Sequence, residues 1–182
     1  MRVTTLIDNR PAPQLTAEWG LAFWIEYQDK HILLDTGGGE NFARNAAALG
    51  IYLSRADFAV LSHAHWDHAD GLPAFFRRNQ TAPLYLRQGC GEDCYDRTDR
   101  GWRYEGIRKG TLAEYADRIR FVSGPFSPVP GVSLLPHPTP GLAAKGKAGK
   151  MYRLRDGKYT PDDFSHEQSL VFQTDRGLII FN

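Results

Sequence analysis

The sequence predicts a mixed α/β domain, on three observations. Phe58-Ala59-Val60-Leu61 is a short continuous apolar run, the pattern of a strand buried on both faces. Soon after it come Leu72, Phe75 and Phe76 at i, i+3 and i+4, the apolar stripe of a helix. Elsewhere, runs of aromatic and branched residues are separated by short turn signals, as in a two-stranded hairpin. A chain of 182 residues can enclose one core. No repeat or linker divides it, so residues 1–182 are read as a single domain.

Taken in order, Val3 to Ile7 reads as a first strand ending at Asp8-Asn9. Leu21 to Tyr27 and His31 to Asp35 form a hairpin around Gln28-Asp29-Lys30, with His31 at an edge. Gly37-Gly38-Gly39 permits a tight turn before a helix with Phe42, Ala46 and Leu49 on one face, and Gly50 suits its C-terminal cap. Pro73 falls in the first turn of the Leu72 helix, where it is tolerated. Pro83 to Arg87 is another short strand. Gln88 to Gly110 is polar and reads as a loop with two free thiols, Cys90 and Cys94, and with Trp102 and Tyr104 pinning it. Thr111-Leu112-Ala113-Glu114 has the spacing of a capping box opening a short helix. Arg118 to Val122 and Val132 to Leu135 read as strands among prolines 125, 128, 130, 136, 138 and 140, with His137 in a surface loop. Ala143 to Lys158 is strongly basic, either a solvated loop or a holder for an anionic substrate such as a phosphate ester. Ser169 to Thr174 and Leu178 to Asn182 make a last hairpin.

Composition excludes several classes. A hydrophobic share of 42% and a charged share of 24% are those of an ordinary globular protein. A net charge of +1 gives no global attraction to nucleic acid or a membrane surface. No apolar run approaches a membrane span, the N-terminus lacks signal-peptide architecture, and two cysteines make no disulfide framework. A reduced, cytoplasmic protein is expected.

The chemistry is concentrated between the Phe58 strand and the Leu72 helix. Ser62-His63-Ala64-His65-Trp66-Asp67-His68 places His63, His65, Asp67 and His68 within six residues. Neutral imidazole and carboxylate are ligands for zinc and similar divalent ions. In an extended segment alternate residues point the same way, so His63 and His65 can share one ion, and a turn into the helix can aim Asp67 and His68 at a second. Asp67 capping a helix is the structural alternative. Three histidines beside an apolar strand are costly to bury without partners.

His63-x-His65-x-Asp67-His68 after an apolar strand resembles the metal motif of the metallo-β-lactamase fold superfamily. Leu33-Leu34-Asp35-Thr36-Gly37 is similar to its strand-then-Asp-Thr-Gly signature. Glu18-Trp19-Gly20-Leu21, Asn45-Ala46 with Leu49-Gly50, and His166-Glu167-Gln168-Ser169-Leu170 resemble a branch named after dihydropterin ribofuranosyl-aminobenzene phosphate synthase. The resemblance implies a metallo-β-lactamase-like αββα sandwich. It implies a hydrolase in which metal-bound hydroxide attacks an ester or phosphoester-type small molecule. The metal ligands would be His63, His65, Asp67 and His68, on two divalent ions, zinc first and manganese or iron as alternatives. Asp67 and His166 would be catalytic, and Asp35 would orient the ligand loop.

The resemblance also implies that family members continue past Leu178–Asn182 with further ligands, so the chain is expected to be the N-terminal portion of the full fold. The competing expectation is a metal-binding fragment without turnover, or one piece of a split metallohydrolase. Self-association through the apolar Leu178–Phe181 strand, or capture of the missing segment, is expected on either view.

Overall fold

A computed structural model describes residues 1–137 and 139–182; Pro138, in the proline-rich run, lies outside the described residues. The chain runs through β1 (Arg2–Ile7), β2 (Ala22–Tyr27), β3 (Lys30–Leu34), α1 (Asn41–Ala48), β4 (Phe58–Val60), α2 (Trp66–Ala69) and α3 (Leu72–Arg78). It continues with β5 (Leu84–Arg87), β6 (Cys94–Thr98), β7 (Gly101–Tyr104), α4 (Thr111–Glu114), β8 (Ile119–Val122), β9 (Phe126–Val129) and β10 (Val132–Pro136). It closes with α5 (Leu142–Ala148), β11 (Met151–Arg155), β12 (Lys158–Pro161), β13 (Gln168–Thr174) and β14 (Gly177–Phe181).

The central sheet has six strands in the order β1-β2-β3-β4-β5-β8. β1 to β3 pair antiparallel, and β3, β4, β5 and β8 run parallel. Strand alternation sends Leu33 and Ala59 to one face, where they pack with Phe42 of α1 and Leu72 and Phe75 of α3. It sends Ile32, Leu34, Phe58 and Val60 to the other, against Leu134, Leu170 and Phe172 of a second sheet ordered β14-β13-β10-β9. The apolar run at 58–60 is therefore buried on both faces, as its continuity predicts. The chain is an α/β sandwich of helices against sheet against sheet.

A third sheet, β12-β11-β6-β7, replaces two expected loops. The segment from Gln88 to Gly110 contains the β6–β7 hairpin, and the basic stretch from Ala143 to Lys158 forms α5, β11 and the start of β12. Aromatic pairing overrides the polar composition. Trp102 stacks on Tyr159 at 3.6 Å between centroids, and Tyr95 meets Tyr104 at 5.1 Å. The proline-rich run holds an unforeseen strand, β9, an edge strand where Pro128 costs no internal ladder bond. At α4 the capping box does not form. Thr111 is already helical, and Glu92 accepts instead from the amides of Gly110 and Leu112, at 2.6 and 2.7 Å. Of the α1 stripe, Leu49 is exposed, while buried Asn45 donates to the carbonyls of Leu6 and Thr16.

Candidate metal centre

The candidate ligands sit where β4 ends. His65 is still extended, and Trp66–Ala69 makes a single helical turn. Two neighbouring loops hold that turn by its carbonyls. Leu21 donates its amide to Asp67 O, and Thr36 donates its amide (2.8 Å) and its hydroxyl (3.0 Å) to His68 O. Gly20 has φ of +142°, and a Cβ there would overlap the carbonyl oxygen of Asp67. Only glycine lets the loop approach this closely. On the other side, Trp66 N donates to Glu105 O and Ile107 N to Ala64 O, so the third sheet is tied to the ligand segment.

Asp35 organises two of the histidines. It is buried and has φ of 58°, a left-handed conformation uncommon outside glycine, Asn and Asp. Its carboxylate accepts from Ser62 N at 2.7 Å, from Ser62 Oγ at 2.7 Å and from His68 Nδ1 at 2.8 Å. A carboxylate only accepts, so the Ser62 hydroxyl hydrogen points to Asp35, and Ser62 Oγ is left to accept from His63 Nδ1, 2.8 Å away. Both rings thus carry a hydrogen on Nδ1, and Nε2 is the atom that each can offer to a cation. Asp35 orients His68 directly and His63 through Ser62. The rings of His63 and His68 lie 4.1 Å apart, and His63, Asp67 and His68 each offer a donor atom within 4.8 Å of the others. Imidazole and carboxylate donors suit a divalent cation, and an ion bound there would displace the proton that Asp35 and Asp67 favour on His68.

His65 also borders a second group of donors. Its ring lies with Cys94, Asp162 and His166, again with one donor from each within 4.8 Å of the rest. Its ring is also 4.7 Å from that of His63, so His65 lies between the two groups, beside the histidine with which it is expected to share an ion. The helical turn at 66–69 carries Asp67 and His68 back beside His63, while His65, at its extended N-terminus, faces the third sheet. His166 has no exposed surface. Its Nδ1 accepts from Ala64 N at 3.1 Å, and its Nε2 lies 3.1 Å from Asp162 Oδ2. It cannot touch a substrate in this position, so its catalytic assignment becomes a positioning one. Cys94 and Asp162, 29 and 97 residues beyond His65, carried no sequence signal beyond residue type.

Burial and charge sort the three rings. Burial, then the neighbouring imidazoles, hold His63 well below the usual histidine range. Burial, then His166, brings His65 down to about 4. Burial opposes ionisation of His68 too, but the hydrogen bond to Asp35 and the charges of Asp35 and Asp67 outweigh it and raise its pKa. Burial pushes the Cys94 thiol up, so as a free thiol it is inert.

Two cavities adjoin the ligand segment. One, about 470 Å³, is lined by His63, His68, Asp35, His137 and Phe181 among others. His137 is not a free surface side chain. It bridges Glu167 Oε2 at 3.0 Å and Ser169 Oγ at 2.6 Å. The other cavity, about 910 Å³, is bordered by His65, Asp67 and Trp66, with Arg103, Arg108 and Lys109 as its cations. The basic stretch does not supply them. Arg153 is buried in an ion pair with Asp93 at 2.6 Å.

The sequence model of the metallo-beta-lactamase superfamily matches residues 18–144. A 7,8-dihydropterin-6-methyl-4-(beta-D-ribofuranosyl)-aminobenzene-5'-phosphate synthase of Methanocaldococcus jannaschii is 27% identical over 90% of this chain and 60% of its own length. A ribonuclease of Thermus thermophilus is 40% identical over 58 residues, 31% of this chain and 14% of that protein. Among solved structures, a metal-dependent hydrolase of the beta-lactamase superfamily superposes with a TM-score of 0.80 at 26% identity, over 98% of this chain and 63% of that one. A quorum-quenching N-acyl homoserine lactone lactonase shares the fold at a TM-score of 0.55 and 20% identity, over 88% of this chain and 58% of its own. The chain thus spans about 60% of the length of the synthase and of the metal-dependent hydrolase. No helix among the described residues is long and apolar enough to cross a membrane.

Proposed function

Because the chain belongs to the metallo-beta-lactamase superfamily, we propose that it is a metal-dependent hydrolase acting on an ester or phosphoester-type small molecule. The observation that carries this reading is the Asp35 relay, which holds the Nδ1 hydrogens of His63 and His68 and leaves Nε2 of each as the atom that can reach a cation beside Asp67. His63, His65, Asp67 and His68 would hold the metal, zinc first and manganese or iron as alternatives. A divalent ion held there supplies Lewis acidity and an acidified water. The chain's own residues supply the rest. Asp35 holds the two rings by their Nδ1 hydrogens, the loops at Gly20 and Thr36 fix the helical turn, and Trp19 and Trp66 line the larger cavity beside Asp67. Arg108 and Lys109 border that cavity beside the carboxylates of Asp67, Asp70, Asp96 and Glu105, the last two paired with Arg103; an anionic group on the substrate would be met by Arg108 and Lys109. The free thiols of Cys90 and Cys94 support a reducing compartment, the cytoplasm.

A second reading rests on the coverage of relatives: the described residues bind metal, and turnover needs additional ligands. One experiment separates the two. The zinc-loaded chain is assayed with a generic phosphodiester and a generic ester, beside Asp67→Asn. Zinc-dependent hydrolysis that falls at least about 100-fold in the variant supports the hydrolase. Bound zinc with no hydrolysis supports the second reading. Hydrolysis that is indifferent to chelator and to the variant contradicts both.

A further inference from the structure

We propose that Asp162 and His166 form a positioning couple, which holds the Ala64 amide and so fixes the span between His63 and His65 for a cation that both rings share. The inference rests on the reading of the His63–His68 segment as metal-binding, and it names a second device beside Asp35.

Three observations carry it. The first is placement. His63 and His65 alternate with Ser62, Ala64 and Trp66, whose backbones are held. Ser62 N donates to Asp35 Oδ1, and Ser62 O accepts from Gln168 N. Ala64 O accepts from Ile107 N, and Trp66 N donates to Glu105 O. The Ala64 amide goes to an imidazole, His166 Nδ1, at 3.1 Å. That amide lies in the chain between two rings whose centroids are 4.7 Å apart. In an extended segment both rings leave on one side, so a twist at residue 64 changes their separation. The Asp35 relay reaches the rings of His63 and His68. His65 is placed by its backbone, and the Ala64 amide is next to it.

The second is the tautomer of His166. Its Nδ1 accepts the Ala64 amide hydrogen, so that nitrogen carries no hydrogen and the ring is neutral. Nε2 carries the hydrogen and gives it to Asp162 Oδ2 at 3.1 Å. With the hydrogen on Nδ1, two donors would face each other. Asp162 therefore selects the one tautomer that can receive the amide, as an outer partner fixes the ring of a metal ligand.

The third is construction. Neither Asp162 nor His166 has exposed surface. Asp162 Oδ1 accepts from Phe164 N at 2.8 Å, and Asp162 N donates to Met151 O at 2.9 Å. Gly146 of α5 lies so close that a Cβ there would overlap the Asp162 carbonyl oxygen. Cys90 Sγ donates to His166 O at 3.2 Å. Arg153 is also buried, its Nη1 has no partner among the described residues, and its charge acts on Asp162. The carboxylate thus has a buried countercharge. Apolar side chains of similar size would cost less to bury here, but they could not receive the Ala64 amide.

The full chain provides the test, first free of metal and then titrated with cobalt(II) against a chromophoric chelator. In the metal-free wild type, nitrogen-15 spectra should place the His166 hydrogen on Nε2, with a scalar coupling between Ala64 N and His166 Nδ1. His166→Gln keeps a donor for Asp162 and removes the acceptor for Ala64, and it is expected to weaken cobalt(II) at least about 10-fold. His166→Asn keeps an acceptor at the Nδ1 position and should stay within about threefold of the wild type. Asp162→Ala frees the tautomer and should abolish the coupling and weaken cobalt(II) at least about 10-fold. In the His166→Asn background it should cost nothing further, because Asp162 acts through the ring. A hydrogen on Nδ1, or unchanged affinity in His166→Gln and Asp162→Ala, overturns the couple and leaves the metal reading standing. Equal losses in His166→Gln and His166→Asn, or a further loss in the double variant, assign these groups to the cation itself and also overturn it. No bound cobalt(II) in the wild type overturns both readings. If His166→Gln does not fold, Asp162→Ala and the wild-type tautomer decide.

Discussion

Asp35 is the residue on which the proposed ligand geometry depends. Asp35→Asn tests it cleanly, because Asn tolerates the left-handed backbone that Asp35 adopts at φ of 58°. The amide cannot accept from Ser62 N, Ser62 Oγ and His68 Nδ1 as the carboxylate does. Metal affinity is expected to fall about 10- to 100-fold, read by competition with a chromophoric chelator. His65 makes a pH prediction for the metal-free chain. Its pKa is 6.5 in the reference state and about 4 when folded, with burial the main cause. The native state thus prefers neutral His65, and the associated stability is present above pH 6.5 and lost as pH falls towards 4. The loss is about 3 kcal/mol, visible as a falling urea midpoint. A midpoint that is flat across this window contradicts the burial of a neutral ring. The ligand types were legible in the sequence because His63, His65, Asp67 and His68 are contiguous. Cys94 and Asp162 were not, since nothing local links a strand start and a strand end that meet only after folding, and His166 was legible only through the family resemblance.

Among the elements, the strands and helices of the central sheet were legible because each carries its own period and is punctuated by Gly, Pro or Asp. The third sheet was not, since its polar, glycine-containing strands are stabilised by aromatic pairs between distant segments, such as Trp102 with Tyr159. The turn α2 is held by loops whose backbones come too close for any side chain. Gly20→Ala is expected to destabilise the chain by about 2 kcal/mol or more, through a strained φ and a clash with Asp67 O. The decisive comparison is a conservative surface Ala substitution, with both midpoints read in urea. β14 makes a second prediction. It is an edge strand with Leu178 65% and Ile180 58% exposed, on the outer face with Leu135. A bare apolar edge pairs with another chain. We propose that a second copy of this chain pairs there. Light scattering should show association that weakens on dilution and that Ile180→Lys reduces. A monomer at high concentration, indifferent to that change, refutes it.

For the whole molecule, the sandwich places a loop-fixed, histidine-rich segment at one end of a sheet that is buried on both faces. Helices and the second sheet supply rigidity, and the third sheet and the loop after it bring Arg103, Arg108 and Lys109, with Asp96 and Glu105, to the larger cavity. The family was legible from one six-residue motif and an Asp-Thr-Gly turn, and the substrate was not, because the cavity cations come from residues that had read as loop. The central claim is that this segment binds metal through His63, Asp67 and His68. Its most direct test is metal content per chain, by elemental analysis after zinc loading and gel filtration, for the wild type, His63→Ala and Asp67→Ala. Circular dichroism confirms that each variant is folded. The account predicts bound zinc in the wild type and at least one ion fewer per chain in both folded variants. Equal zinc in all three, or none in the wild type, would contradict it.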